Sequence, residues 1–188
     1  MTIQITTLEN GLRVATDSMA DVESAVVGAW VGVGTRHEPW AANGVAHLVE
    51  HMMFKGTKKR SAYALSAAIE ANGGSMNAYT SREETAYHER ILPEDVPLAL
   101  DIISDMLLHS RFEPKELNRE RQVIIQEIGR DYDTPEDHIG ELLHATALPG
   151  QTIGRSILGS ADIIAKLPRA AVTGYVKQHY HAGNMVVV

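Results

Sequence analysis

Cysteine is absent from the 188 residues. That excludes disulfides and thiolate metal sites, so any bound metal must rest on histidine and carboxylate. It is also compatible with a reducing compartment. No long run rich in lysine and arginine stands out either. With a net charge of −7, the chain does not suggest nucleic acid or an anionic membrane as a partner. No apolar window approaches a membrane span, and Met1 to Thr6 carry neither a basic segment nor a long apolar one, so no secretory signal or Arg-rich transit peptide is visible. Internal repeats and low-complexity segments do not occur. What remains is an ordinary globular composition in a length that suits one domain and is too short for two.

Against that background, His47-Leu48-Val49-Glu50-His51 stands out. Histidines four apart lie one above the other on a single helix face, where both imidazoles can converge on one metal ion. Imidazole suits zinc. Glu50, three residues past His47, leans over the same face and can reach a water on the metal without being a ligand. A metal that lowers the pKa of its water beside a carboxylate that takes the proton is the working end of a zinc hydrolase. The order H-x-x-E-H inverts the commoner H-E-x-x-H motif.

The rest of the chain supplies a scaffold. Residues 7–14 read as strand, Asn10-Gly11 turn and strand. Residues 24–33, apolar on both faces, read as a buried central strand. A loop over 34–43 leads into the motif helix, about 44–54, which Gly56 ends. After a basic loop at 55–60, expected to be a solvated connection, an Ala-rich helix covers 61–71. Strands at 75–80 and 85–92 flank a polar turn. Helices follow at about 93–110, 114–131, 136–147 and 169–180, with a Gly-rich connection at 149–159. The closing Val186-Val187-Val188 reads as the start of a buried strand cut off mid-element, so a fragment of a longer protein is expected.

A catalytic zinc usually has three protein ligands and one open position. The helix at 114–131 offers Glu120 and Glu127, two turns apart on one face of a segment otherwise built for burial by Val123, Ile124, Ile125 and Ile128.

Three blocks carry a family resemblance: His47 to Thr57, Gly73-Gly74-Ser75-Met76-Asn77-Ala78-Tyr79-Thr80, and Glu120 to Glu127. With Gly154 to Gly159, His179-Tyr180 and Asn184-Met185, the chain resembles the pitrilysin (M16) metallopeptidases over essentially its whole length, and among them the processing-peptidase branch and its bacterial homologues. Glu127 stands 76 positions after His51, the family spacing of the third ligand. The resemblance implies that His47, His51 and Glu127 bind Zn2+, that Glu50 is the general base, and that Glu120 supports the site by orienting a ligand histidine. It makes the strand at 75–80 an edge strand that holds an extended peptide through its backbone. Asn77 and Ala78 match the positions nearest the scissile bond, with Tyr79 beside them in the substrate-binding set.

The fold implied is α+β, a two-layer sandwich of a mostly antiparallel sheet with helices packed on one face, which agrees with the strands and helices read above. The whole chain, 1–188, becomes a single N-terminal, metal-bearing domain, and a homologous C-terminal domain, second half or partner subunit completes a chamber. The function implied is zinc-dependent endopeptidase cleavage of extended peptides or presequences. The alternative is a non-catalytic peptide-binding or assembly subunit of the same family, although such relatives typically have a broken metal motif and every ligand position is filled here. S-ribosylhomocysteine lyase also uses an H-x-x-E-H helix, but it depends on cysteine and is thereby excluded. A cytoplasmic bacterial protein is the simple expectation, with the mitochondrial matrix after processing as the alternative. The remaining histidines are expected to be at the surface or locally hydrogen-bonded. Met52, Met53 and Phe54 are read as core, with Phe54 near enough to line the site, and Arg155 as a loop clamp in preference to a substrate contact.

Overall fold

The computed structural model describes residues 3–188. Six strands form one sheet: β1 (Ile3–Thr7), β2 (Arg13–Asp17), β3 (Ala25–Val31), β4 (Ser75–Thr80), β5 (Thr85–Ile91) and β6 (Met185–Val187), in the spatial order β1-β2-β6-β3-β5-β4. All neighbours are antiparallel except β2 and β6, which run parallel. That pair forms because the chain returns after the last helix to fill the slot between β2 and β3.

The register explains the layers. Val27, Ala29 and Val31 of β3 lie opposite Glu89, Tyr87 and Thr85 of β5, and these in turn lie opposite Met76, Ala78 and Thr80 of β4. The β3 and β5 members of this face are buried. Strand side chains alternate between faces, so Val26, Trp30, His88, Asn77 and Tyr79 share the other, more open face. Tyr79 and Val26 are exposed there.

The helical layer covers the buried face. It comprises α1 (Val45–Met53), α2 (Ala62–Glu70), α3 (Val96–His109), α4 (Pro114–Asp133), α5 (Pro135–Ala147), α6 (Ala161–Lys166) and α7 (Arg169–His179). Ile102, Ile103 and Met106 of α3 join the one continuous core with Val27, Ala29 and Tyr87. α1 supplies Val45, Ala46, Leu48, Val49, Met52 and Met53 to the same core, all essentially buried.

Several details depart from the sequence-based expectation. The first hairpin strand begins at Ile3 and ends at Thr7, so residues 8–12 form a longer turn. Gly11, at φ +86°, takes the left-handed conformation there, and Asn10 Oδ1 accepts from the Leu12 amide at 3.1 Å. The 34–43 loop contains two short 3-10 turns, at Thr35–His37 and Trp40–Ala42. The six-residue α6 also lies outside the expected helices. The 55–60 connection is less free than a solvated loop. Thr57 is buried and donates to Asp105 Oδ2 at 2.7 Å, while Arg60 reaches the same oxygen at 2.9 Å.

Candidate metal centre

The H-x-x-E-H segment folds as α1 because its apolar residues recur at helical spacing and bury one face against the core. His47, Glu50 and His51 are left on the opposite side. The helix can start where it does because Gly44, at φ +94°, precedes it. A Cβ there would come within 2.7 Å of the Leu158 carbonyl oxygen and of Ile164 Cδ1. α4 packs beside α1, and its buried residues Leu117, Glu120 and Ile124 are spaced three and four apart on one face. Glu127 is the next residue on that stripe.

This packing brings three of the sequence-predicted residues together. One donor atom each from His47, His51 and Glu127 lies within 4.8 Å of the others. Glu127 Oε2 is 3.7 Å from His47 Nε2 and 3.6 Å from His51 Nε2, longer than hydrogen bonds. The imidazole centroids are 4.6 Å apart at 74°. A pocket of about 320 Å³ opens beside them, lined also by Glu50, Arg130, Asp131, Asp137 and Leu158.

The electrostatics favour a neutral, ligating His47. Burial first, and then the neighbouring His51, pull its pKa down to about 3. Its Nδ1 is buried and without a hydrogen-bond partner among the described residues. His51 is arranged differently. Its Nδ1 lies 3.0 Å from Glu120 Oε2, and Glu120 Oε1 takes an ion pair from Lys55 Nζ at 2.9 Å. Burial opposes the charged form of His51, but Glu120, Glu127 and Glu50 outweigh it and hold its pKa above the ordinary value. Burial likewise opposes the charge on Glu120, and His51 and Lys55 hold its carboxyl below the usual range. With Nδ1–H committed to Glu120, the Nε2 lone pair of His51 points toward the Glu127 side. Two imidazoles and one carboxylate, converging but too far apart to satisfy one another, are a donor set that suits a divalent ion such as zinc.

Glu50 does not join that trio. Its Oε2 accepts from Thr80 Oγ1 at 2.5 Å, which ties the helix to the end of β4. Burial raises its pKa, assisted by Glu127 and opposed by Thr80 and His51.

The strand residues are placed differently. β4 is one of the two edge strands of the sheet, β1 being the other. Asn77 Oδ1 accepts from the amide of its neighbour Ala78 at 2.9 Å. The Tyr79 hydroxyl accepts from Trp30 Nε1 at 3.2 Å and donates to Glu84 at 2.7 Å. Asn77 and Tyr79 therefore stand on the open face of the sheet, and Ala78 faces the helical layer.

Two contributors were not read from the sequence as site residues. Thr80 closes a strand and gives no motif signal. Glu38 lies in a loop six positions before the glycine that starts α1, outside any usual capping spacing. Arg155 is a loop clamp, as its Gly-rich setting suggests. It is buried, donates to the Glu38 backbone oxygen at 2.6 Å and lies 4.5 Å from the Trp40 ring centroid. His109, His138 and His144 have local partners in Asp105, Asp131 and the Gly140 carbonyl.

The family model described as insulinase (peptidase family M16) matches residues 13–161. The chain belongs to peptidase family M16. Within M16, the chain is 44% identical over 184 residues to a protein of Arabidopsis thaliana named as a probable mitochondrial-processing peptidase subunit beta. The match covers 98% of this chain and 35% of that protein. An uncharacterized zinc protease of Streptomyces coelicolor is 40% identical over 186 residues, covering 99% and 40%. A crystal structure of a protease from Helicobacter pylori superposes with a TM-score of 0.94 at 24% identity, over 99% of this chain and 45% of that one. The M16 chain described here thus spans less than half the length of these relatives. No described helix is long and apolar enough to cross a membrane.

Proposed function

We propose that this chain is the N-terminal, metal-bearing domain of a zinc-dependent endopeptidase that hydrolyses peptide bonds in extended peptides or presequences. The observation that carries the reading is the convergence of His47, His51 and Glu127 on one point, with Glu50 beside them in the same pocket. Membership of M16, and relatives named as processing peptidase and zinc protease, support it. The short share of those relatives that the chain covers supports a second homologous half, or a partner subunit, as the piece that completes the enzyme.

In this reading His47, His51 and Glu127 hold Zn2+, which supplies Lewis acidity to a peptide carbonyl and acidifies water. The protein does the rest. Glu120 fixes the tautomer of His51. Thr80 steadies Oε2 of Glu50, and the Glu50 carboxylate takes the proton of an attacking water and delivers it to the leaving amine. The free edge of β4 offers unpaired backbone groups to an extended peptide, with Asn77, Ala78 and Tyr79 along it.

Elemental analysis of the wild-type chain beside His51→Ala tests the site. About one zinc per chain in the wild type and none in the variant is expected. A wild type that stays metal-free after zinc is added back would rule out the metal-centre reading. Glu50→Gln should keep its zinc. In the complete enzyme it should lose at least a hundredfold in turnover, the scale of general-base catalysis, and unchanged peptide cleavage would remove Glu50 from the mechanism.

A further inference from the structure

α1 begins without a cap of its own. Gly44, at the N-cap position, has no side chain to offer the open amides of the first turn. Glu38, in the loop held by Arg155, reaches one of them, the Ala46 amide, and the Gly44 amide just before the helix. Glu38 Oε2 accepts from the Gly44 amide and from Asn43 Nδ2, and Oε1 accepts from the Ala46 amide, each at 2.8 Å. The residue is only 2% exposed. Burial raises its pKa, and the donors Asn43, Ala46 and Gly44 with the Arg155 charge oppose that rise; every hydrogen-bond partner is a donor, a set that fits the ionised carboxylate.

The consequence lies one residue further on. Ala46, whose amide Glu38 holds, directly precedes His47. The N-terminus of a helix carries roughly half a positive charge, and here it sits within a turn of the atoms that would receive a divalent cation. An uncapped end would repel that cation and leave the first turn free to fray.

We propose that Glu38 is a positioning residue for the metal centre: its buried carboxylate fixes the first turn of α1, and with it His47, and neutralises the helix end that faces a bound cation. The inference rests on the metal-centre reading above.

The test compares wild type, Glu38→Gln and Glu38→Asp. Glu38→Gln keeps the size and loses the charge. Glu38→Asp keeps the charge and draws it away from the Ala46 amide. Zinc affinity is measured by chelator competition, the amide exchange of Ala46 by hydrogen–deuterium exchange, and the unfolding midpoint with and without zinc. Both variants should bind zinc about tenfold more weakly or worse, the scale seen for groups that support metal ligands. Ala46 should exchange faster in both, and the rise in midpoint on adding zinc should shrink. Wild-type zinc affinity in variants whose midpoint falls equally with and without the metal would make Glu38 a residue of the fold alone, and the proposal would fail. Failure of both variants to fold would have the same meaning. A wild-type chain that binds no zinc would instead overturn the metal-centre reading, an outcome that needs no variant to recognise.

Discussion

His51 meets two carboxylates of α4. Glu120 holds its Nδ1 and Glu127 faces its Nε2, so the two glutamates differ in task although they share a helix face. The proposed ligand set makes a graded prediction. Glu127→Gln should remove most zinc affinity, because a neutral amide is a poor ligand. Glu120→Gln should weaken it by about 10- to 100-fold, because the ring loses its orienting anion but keeps its lone pair. Chelator competition on the two variants checks this, and equal losses would mean the roles are wrongly divided. The sequence made the shared face legible through the seven-residue spacing of the two glutamates. The spacing alone did not divide their labour, because both carboxylates reach the same imidazole through different ring nitrogens; the division came from the family resemblance. Glu38 escaped notice for another reason: two of its three donors are backbone amides, which leave no mark on residue identity.

At the scale of elements, β5 carries an anomaly. Glu89 points from the central part of the sheet into the helical layer, fully buried, with neither carboxyl oxygen hydrogen-bonded among the described residues. Burial pushes its pKa up to about 8. The folded chain therefore keeps a proton that the unfolded chain releases near pH 4.5. Stability contributed by the protonated form is fully present below that value and is lost as pH rises to about 8. Glu89→Met should flatten this dependence and stabilise the chain at pH 7.5 by about 2 kcal/mol or more. Denaturant melts at pH 5 and 8 check it, and a wild type equally stable at both would refute it. Most elements around β5 were legible beforehand. α1, α2, α4, α5 and α7 announce themselves by apolar spacing or by proline at the first turn, and β4 and β5 by alternation around a polar turn. α6 did not, since six residues give less than two turns of periodicity. The parallel pairing of β2 with β6 did not either, because it joins segments at opposite ends of the chain and no local pattern records it.

At the scale of the whole molecule, the three converging donors lie at an open pocket, and β4 is an edge strand of the sheet. The proposed second half or partner would close over both. The 188-residue chain alone should therefore bind zinc yet cleave an unfolded peptide far more slowly than a protein that includes the second half, by tenfold or more if the closing piece supplies orientation to the substrate. Turnover compared at equal zinc content decides this, and equal rates would show that one domain suffices. The placement of the three converging donors has one more consequence. Two come from a single turn of α1, and the third arrives from α4 after a long excursion through α2, two strands and α3. An ion held by all three acts as a cross-link across that excursion. In the denatured chain it would have to close a large loop against chain entropy, and the size of that loop changes the opposing term only slowly. Occupancy would then be written into the cooperativity of the domain. The segment between the two helices, which supplies none of the three donors, should resist proteolysis in step with the metal.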